Sequence, residues 1–432
     1  PVIDFTAILI GCGLGLFAGL VPGLGPFTTM LMVFPLFLDM SIMELLIVYT
    51  GLYTTSIYVG SVPATLYGIP GDSASMPVVY ESRNLKSLRQ VSQAISGAAF
   101  GGFFGSMAVA LFRIAMLKYL DTLKYFYSTP LFLSLLLIAS SVILWTAGNK
   151  KLISLLLYTA GFVLGLVGYN AHLDTAIFVL HDYMWRGLPN EIVMSMLFAV
   201  PMIAFYWNHF KTKGRNRSRE YFSVWTVYIL NPVTSLFYTV VGFFTGLVPG
   251  LTTILSSTLS YNIMSRVTDD PVKRIVASET ANNAGAFSMI LPLLLFGIPI
   301  SSSEALLLFF LEQNGYSNIN TDLVVIMKTL VYNFLFINLV GLALSWPLSK
   351  YVKYCYKLDL RYVFGSVLVM ILCSLMYSGV NNSSVTYYLI LILILAPIGV
   401  ALRKHDLLPL IFAFLISDRA LSSLVILKQL YF

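Results

Sequence analysis

The chain has 432 residues, of which 58% are hydrophobic and only 10% charged, and its mean hydropathy is +0.84. Soluble domains carry roughly 25% charged residues, so the composition excludes a soluble globular protein and indicates an integral membrane protein with several spans. The formal charge of +7 arises from 26 basic and 19 acidic residues. These basic residues fall in short loops, where the positive-inside rule accounts for them better than a nucleic-acid surface does. Cys12, Cys355 and Cys373 lie far apart in apolar runs with no CxxC pair, so neither a disulfide framework nor a metal site is read from them. The first residue is Pro1 rather than methionine, and no signal peptide is assigned.

A span needs about 20 apolar residues. The chain opens with a broken apolar run over 5–38, followed by expected spans near 45–67, 91–117, 130–147, 152–168 and 191–207. A second broken run covers 222–264, followed by spans near 275–299, 325–348, 362–380, 385–402 and 407–427. At ~1.5 Å per residue, a run the length of 5–38 is too long for one crossing and fits a hairpin or two half-helices. The expectation is an all-α polytopic membrane protein of roughly 12 membrane segments. The one strongly hydrophilic linker, His209–Glu220, carries Lys211, Lys213, Arg215, Arg217 and Arg219 against a single acid. It divides the chain into 1–208, a basic cytoplasmic linker at 209–221, and 222–432.

The two halves share motifs. Gly19-Leu-Val-Pro-Gly-Leu24 recurs as Gly246-Leu-Val-Pro-Gly-Leu251, an offset of 227, and Gly68-Ile-Pro70 recurs as Gly297-Ile-Pro299, an offset of 229. Pro63 aligns with Pro292 at that second offset. Loop charges set their relative orientation. Residues 39–44 carry no Lys or Arg, whereas 265–274 carry three; 71–90 carry three, whereas 300–327, up to Met327, carry none. The positive-inside rule then places 71–90 and 265–274 in the cytoplasm and 39–44 and 300–327 outside, with both termini outside. Lys118 and Lys124 alone fall on the wrong side. This is the pattern of two inverted-topology repeats with broken helices or re-entrant hairpins, an architecture of secondary transporters whose sites lie between the repeats.

The Pro-Gly breaks then acquire a role. Irregular backbone at membrane depth is tolerated only where it is buried in protein or lines a cavity. A helix restarting there presents free N–H groups and a positive dipole end, an anion site that needs no charged side chain. In GLVPGLGPFTT, Gly23 and Gly25 permit close backbone approach, and Thr28 and Thr29 add hydroxyl donors; Gly250, Thr252 and Thr253 take the matching places in the copy. The expectation is that Gly23 and Gly250 face each other, each at a half-helix start aimed at a carboxylate. A packing kink lined with small residues is the simpler alternative. GIPGDSAS contributes Gly71, Asp72 and Ser73, and GIPISSSEA contributes Ser301, Ser302 and Ser303. Asp72 suits a hard cation together with carbonyl oxygens, or a helix N-cap at the surface.

SETANNAGA places Glu279, Asn282 and Asn283 at the start of an apolar run. The i,i+3 and i,i+4 spacings put both amides beside the carboxylate on one helix face. Amides donate to a carboxylate and accept from a cation, and polar groups at membrane depth are functional by default; helix–helix bonding is the alternative. Glu279 and Asn282, with Asp72, are the cation candidates. His172, His181, His209 and His405 lack metal-ligand spacing. The stretch Tyr169–Glu191 is rich in Tyr and Trp and reads as an interfacial aromatic belt, or as a docking surface for an outer partner. No GxxxxGK[ST], HExxH or GxSxG occurs, so no ATP, zincin or esterase chemistry is read.

GLVPGLGPFTT, GSVPATLYGIPGDSAS, GLVPGLTT and ETANNAGAFSMILPLLLFGIP, in this order over residues 10–400, resemble the large membrane subunit of the tripartite tricarboxylate transporters, the TctA family. The resemblance implies a cation-coupled secondary importer, not an enzyme, in the bacterial inner membrane. It implies no cofactor, a sodium coupling ion, a di- or tricarboxylate substrate such as citrate, a small membrane subunit and a periplasmic solute-binding protein. A homodimer follows by analogy with other inverted-repeat carriers. The family's binding positions carry over to Gly23, Gly25, Thr28, Gly71 to Ser73, Gly250, Thr252, Asn282, Asn283 and Ser301 to Ser303. The chain departs from the family pattern at GIPISSS, where a glycine usually follows GIP, and at PGLTT, where PGAGAT is common. Both departures fall on the presumed substrate tips. Transport of another organic anion such as an amino acid, and a non-transporting scaffold, are the competing readings.

Overall fold

The computed structural model describes residues 3–20, 25–33, 37, 40–67, 73–116, 119, 129–147, 150–170, 173, 175–189, 192–193, 196–197, 200, 226–247, 252–315, 323–346, 365, 368–369, 372–373, 375–376, 385–405 and 407–431. Among them the first broken run forms two helices, α1 (Phe5–Leu20) and α2 (Gly25–Met32), which are followed by α3 (Ile42–Tyr67). A short 3-10 turn, Ser73–Ser75, leads into α4 (Met76–Ser82) and α5 (Leu88–Met116). Two further helices follow, α6 (Thr129–Thr146) and α7 (Lys151–Gly165). The second broken run gives α8 (Pro232–Gly246) and α9 (Thr252–Val267), then α10 (Pro271–Phe296), α11 (Ser302–Gln313) and α12 (Leu323–Ser345). The chain closes with α13 (Val385–Leu402) and α14 (Leu408–Tyr431). Among the described residues four segments are long and apolar enough to cross a membrane: Ile42–Leu66, Leu88–Ala115, Leu323–Ser345 and Val385–Leu402. Several shorter apolar helices accompany them, including α1, α7 and α8.

One element departs from the all-α expectation. Gly168–Asn170 (β1) and Thr175–Ile177 (β2) pair antiparallel, with Tyr169 opposite Ala176. The aromatic loop is therefore a hairpin, and Tyr169 stacks on Trp185 at 5.8 Å. The expected spans 191–207 and 362–380 lie largely outside the described residues, as does the 209–221 linker.

Local chemistry sets the helix ends. Asp270 caps α10 by accepting from the Val272 N–H at 3.0 Å, and Pro271 occupies the first turn, where its missing N–H costs nothing. Asn231 caps α8 in the same way, with Pro232 next. Ser41 and Glu44 exchange side-chain-to-backbone bonds at the start of α3, a reciprocal capping box. Gly297 ends α10 in the left-handed region at φ 63°, donating to Leu293 O at 2.8 Å, while Ile298 donates to Pro292 O at 3.3 Å. Gly19, Gly246 and Gly297 thus sit at helix ends, and both 26-residue helices, α3 and α10, carry an internal proline, Pro63 and Pro292.

The helices are joined through glycine. A Cβ at Gly15 would stand 2.5 Å from Leu52 O, and one at Gly19 would stand 2.6 Å from Ser56 O, so α1 lies backbone to backbone on α3. On α8, a Cβ at Gly242 would collide with Ala281 O, and one at Gly246 would stand 2.5 Å from Gly285 O on α10. The first pair of contacts maps onto the second by the same offsets, 227 on one helix and 229 on the other, that relate the sequence motifs. A third small-residue face, Gly97, Gly101 and Gly105 of α5, meets Val276 and Thr280 of α10. Lipid offers no hydrophobic drive between helices, so close van der Waals approach has to supply the cohesion. Helices α3 and α10 are the hubs: α3 packs on α1, α5 and α12, and α10 packs on α5, α8 and α9.

Overpacking a tight contact costs ~1–3 kcal/mol. Gly15→Leu and Gly242→Leu are each expected to lower the melting temperature of detergent-solubilised protein. Gly13→Ala, whose Cβ would meet nothing within 4 Å, is expected to be tolerated in the same assay.

Candidate functional site

The centre of α10 carries the polar groups picked out from the sequence. Asn282 lies eleven residues after Pro271, about 17 Å along the helix axis. Glu279, Asn282 and Asn283 are all buried, at 1%, 0% and 3% exposure. Asn282 Nδ2 donates to Glu279 Oε2 at 3.3 Å, and Asn283 Nδ2 donates to the Glu279 carbonyl at 2.9 Å. These bonds use amide donors and leave the two amide oxygens, Asn282 Oδ1 and Asn283 Oδ1, without partners among the described residues. A buried acceptor left unpaired is costly, and oxygens of this kind suit a cation or a donor-bearing ligand. Gly102 of α5 makes the room, since a Cβ there would stand 2.6 Å from Asn283 Nδ2.

The helices that follow the broken motifs pack across the two halves. Gly25 opens α2 at φ 56°, and Thr29 Oγ1 bonds back to Gly25 O at 2.9 Å. Thr28 and Thr29 are buried, as is Thr253 in the first turn of α9. Helix α11 packs against α2 and α3, and α9 packs against the Ser73–Ser75 turn. Each half's restarted helix therefore touches the element that follows the GIP motif of the other half. Ser301 is the N-cap of α11, accepting from the Glu304 N–H at 3.2 Å, and Ser301 and Ser303 are both buried. Ser73, Thr252 and Ser302 open their elements, and their side chains lie outside the described residues. So do Gly23, Gly71, Asp72 and Gly250, and with them the expected approach of Gly23 to Gly250. Among the described residues no cluster of three or more His, Cys, Asp or Glu side chains could hold a metal ion.

Several polar groups escaped the sequence reading. Tyr58 Oη donates to Asn338 Oδ1 at 2.5 Å, Ser106 Oγ donates to the same oxygen at 2.7 Å, and Asn338 Nδ2 donates to Phe103 O at 3.2 Å. This knot ties α3, α5 and α12 together; its only sequence signal is a lone Asn inside FINLV. Arg113 is buried on α5 with its guanidinium 4.4 Å from the Phe287 ring centroid. It donates to Phe287 O at 3.3 Å and contacts Met327 Sδ at 3.5 Å. Glu304 belongs to GIPISSSEA, and only its burial distinguishes its carboxylate there.

A separate network lies where α4 meets the α9–α10 turn. The buried Glu81 pairs with Arg274 at 3.4 Å and accepts from Tyr261 Oη at 2.8 Å and Asn84 Nδ2 at 3.1 Å. Arg274 also reaches Asp269 at 2.8 Å and Thr268 O at 2.8 Å. Beside it opens a cavity of about 810 Å³ edged by Arg83, Lys86, Asp269 and Asp270.

These features define a multi-pass helical membrane protein with a buried polar centre midway along α10. Residues 5–412 match the tripartite tricarboxylate transporter TctA family, and the chain belongs to that family of transporter subunits, which are not enzymes. The resemblance read from the four motifs is borne out. The chain is also 25% identical over 323 residues to an uncharacterized 52.8 kDa protein in the TAR-I ttuC' 3' region of Agrobacterium vitis, a match covering 71% of this chain and 63% of that protein. The chain thus aligns with less than two thirds of that relative's length. No solved structure matches.

Removing one partner of a buried ion pair strands the other, at a cost of about 3 kcal/mol. Arg274→Ala is expected to lower the melting temperature clearly. The double variant Glu81→Met/Arg274→Met, which removes both charges, is expected to recover part of that loss.

Proposed function

We propose that the chain is the large membrane subunit of a secondary active importer of a di- or tricarboxylate, coupled to a cation gradient and fed by a periplasmic solute-binding protein. A small membrane subunit completes the assembly, in the bacterial inner membrane. The observation that carries this reading is the repeated contact pattern: Gly15 and Gly19 on α3 correspond to Gly242 and Gly246 on α10 at the motif offsets. Together with the reversed loop charges, it supports two inverted repeats and a site between them.

In this reading the starts of α2 and α9 offer free N–H groups and dipole ends to the carboxylates of the substrate. Thr28, Thr29, Thr253, Ser301 and Ser303 supply hydroxyls, and the oxygens of Asn282 and Asn283 face donor groups of the substrate or a coupling cation. Glu279, Asn282 and Asp72 are the candidate ligands of a sodium ion, a hard cation served by oxygens. The Glu81–Arg274 network belongs to the cytoplasmic face by the positive-inside count.

The test is uptake of radiolabelled di- and tricarboxylates by the protein reconstituted with its partners under an inward sodium or proton gradient. Accumulation that requires the solute-binding protein supports the reading, and none under either gradient overturns it. Asn282→Ala and Asn283→Ala are each expected to reduce uptake about tenfold, or ~1.4 kcal/mol, with melting temperatures close to the parent's. Wild-type uptake in both variants would assign these amides to helix–helix bonding instead.

A further inference from the structure

Glu304 stands one turn into α11, directly after the ISSS tip. It is 0% exposed. Its Oε2 accepts from the Ile300 N–H at 2.8 Å, and its own N–H donates to Ser301 Oγ at 3.2 Å. This is a capping-box arrangement, and it uses one carboxyl oxygen only. The other, Oε1, has no hydrogen-bond partner among the described residues. Around it the helix is apolar and buried, with Ala305, Leu306, Leu307 and Leu308 following.

The groups facing this carboxyl supply no counter-charge among the described residues. From α3 comes Tyr49, whose phenol lies beside Ser301 and within electrostatic reach of Glu304, with Tyr53 next to it. Helix α2 has no titratable residue, and α10 has none in its last two turns. Helix α14 carries Asp418 and Arg419, whose side chains lie outside the described residues, and α11 itself carries Glu312 in its last turn. The only ion pairs among the described residues are those of Arg274, with Glu81 and Asp269. Burying an isolated carboxylate is far more costly than burying its neutral acid. One oxygen already holds a backbone N–H, and among the described residues the other meets no donor and no cationic side chain. A proton needs neither a cavity nor a coordination shell.

We propose that Glu304 is a proton-binding site, protonated while α11 is packed as observed and deprotonated when the tip opens to water. Helix α11 joins the halves, packing on α2 and α3 of the first half, with Phe310 stacked on Phe37 at 5.1 Å. Loss of the proton leaves a buried charge at that joint with no cationic partner among the described residues, so occupancy and packing are linked. The proposal rests on the transporter reading for its role in a cycle, but the binding of the proton is testable without it.

The test is labelling of the purified full chain with dicyclohexylcarbodiimide, a hydrophobic reagent for protonated carboxyls, read by mass spectrometry of the Glu304 peptide. Neither substrate nor partner is needed, so failure of uptake leaves this result standing, and the reverse also holds. The expected result is labelling at neutral pH, loss of label as pH is raised, and no change when sodium replaces choline at fixed pH. Glu304→Gln removes the label, and Glu304→Asp retains it. No label at neutral or mildly acidic pH overturns the proposal. Suppression by sodium at fixed pH overturns it as well, in favour of a metal cation. In the reconstituted system, Glu304→Gln is expected to lose the pH dependence of uptake; an unchanged pH profile would count against the proposal.

Discussion

The contact on which the structure depends is backbone against backbone. In a bilayer, lipid tails solvate an apolar side chain as well as another helix does, so hydrophobicity alone does not bring helices together. Glycine lets the main chains approach until carbonyls and Cα atoms touch, as Gly15 and Gly19 do on α3 and Gly246 does on α10. The third glycine face, on α5, closes α10 from the other side. Hemmed in this way, the middle of α10 excludes water, and its polar residues must find partners within the protein. Asn282 and Asn283 do so through their donors and leave their acceptors over. The polar centre follows from the close packing and is not an addition to it.

Much of this was legible in the sequence because membrane helices announce themselves by length and apolarity. The expected spans near 45–67, 91–117, 325–348 and 385–402 correspond to α3, α5, α12 and α13 within a few residues. The boundary differences have local causes. Helix α10 begins at Pro271 rather than 275 because Asp270 supplies a cap, and it ends at Phe296 rather than 299 because Gly297 turns left-handed. Motif recurrence was equally readable, since glycine and proline are the residues that backbone geometry demands.

What was not legible needed a partner from elsewhere in the chain. SGAAFGGFFG shows a small-residue face but not that its counterpart is Val276 and Thr280. Tyr58 and Asn338 lie 280 positions apart and meet only because α3 and α12 pack together. The position of Arg113 under the Phe287 ring depends on α5 and α10 running side by side. The β-hairpin was hidden because its strands are three residues long, too short for alternation to stand out from an aromatic loop. Glu304 was hidden by its company: SSSE reads as a helix cap, which it is, and only burial marks the second oxygen.

Two hydrogen bonds, from Gly297 to Leu293 O and from Ile298 to Pro292 O, clamp the chain leaving α10 back onto the helix. The tip that bears Ser301 and Glu304 is therefore tied at its start to the helix that bears Asn282 and Asn283. A tilt of α10 carries the start of α11 with it.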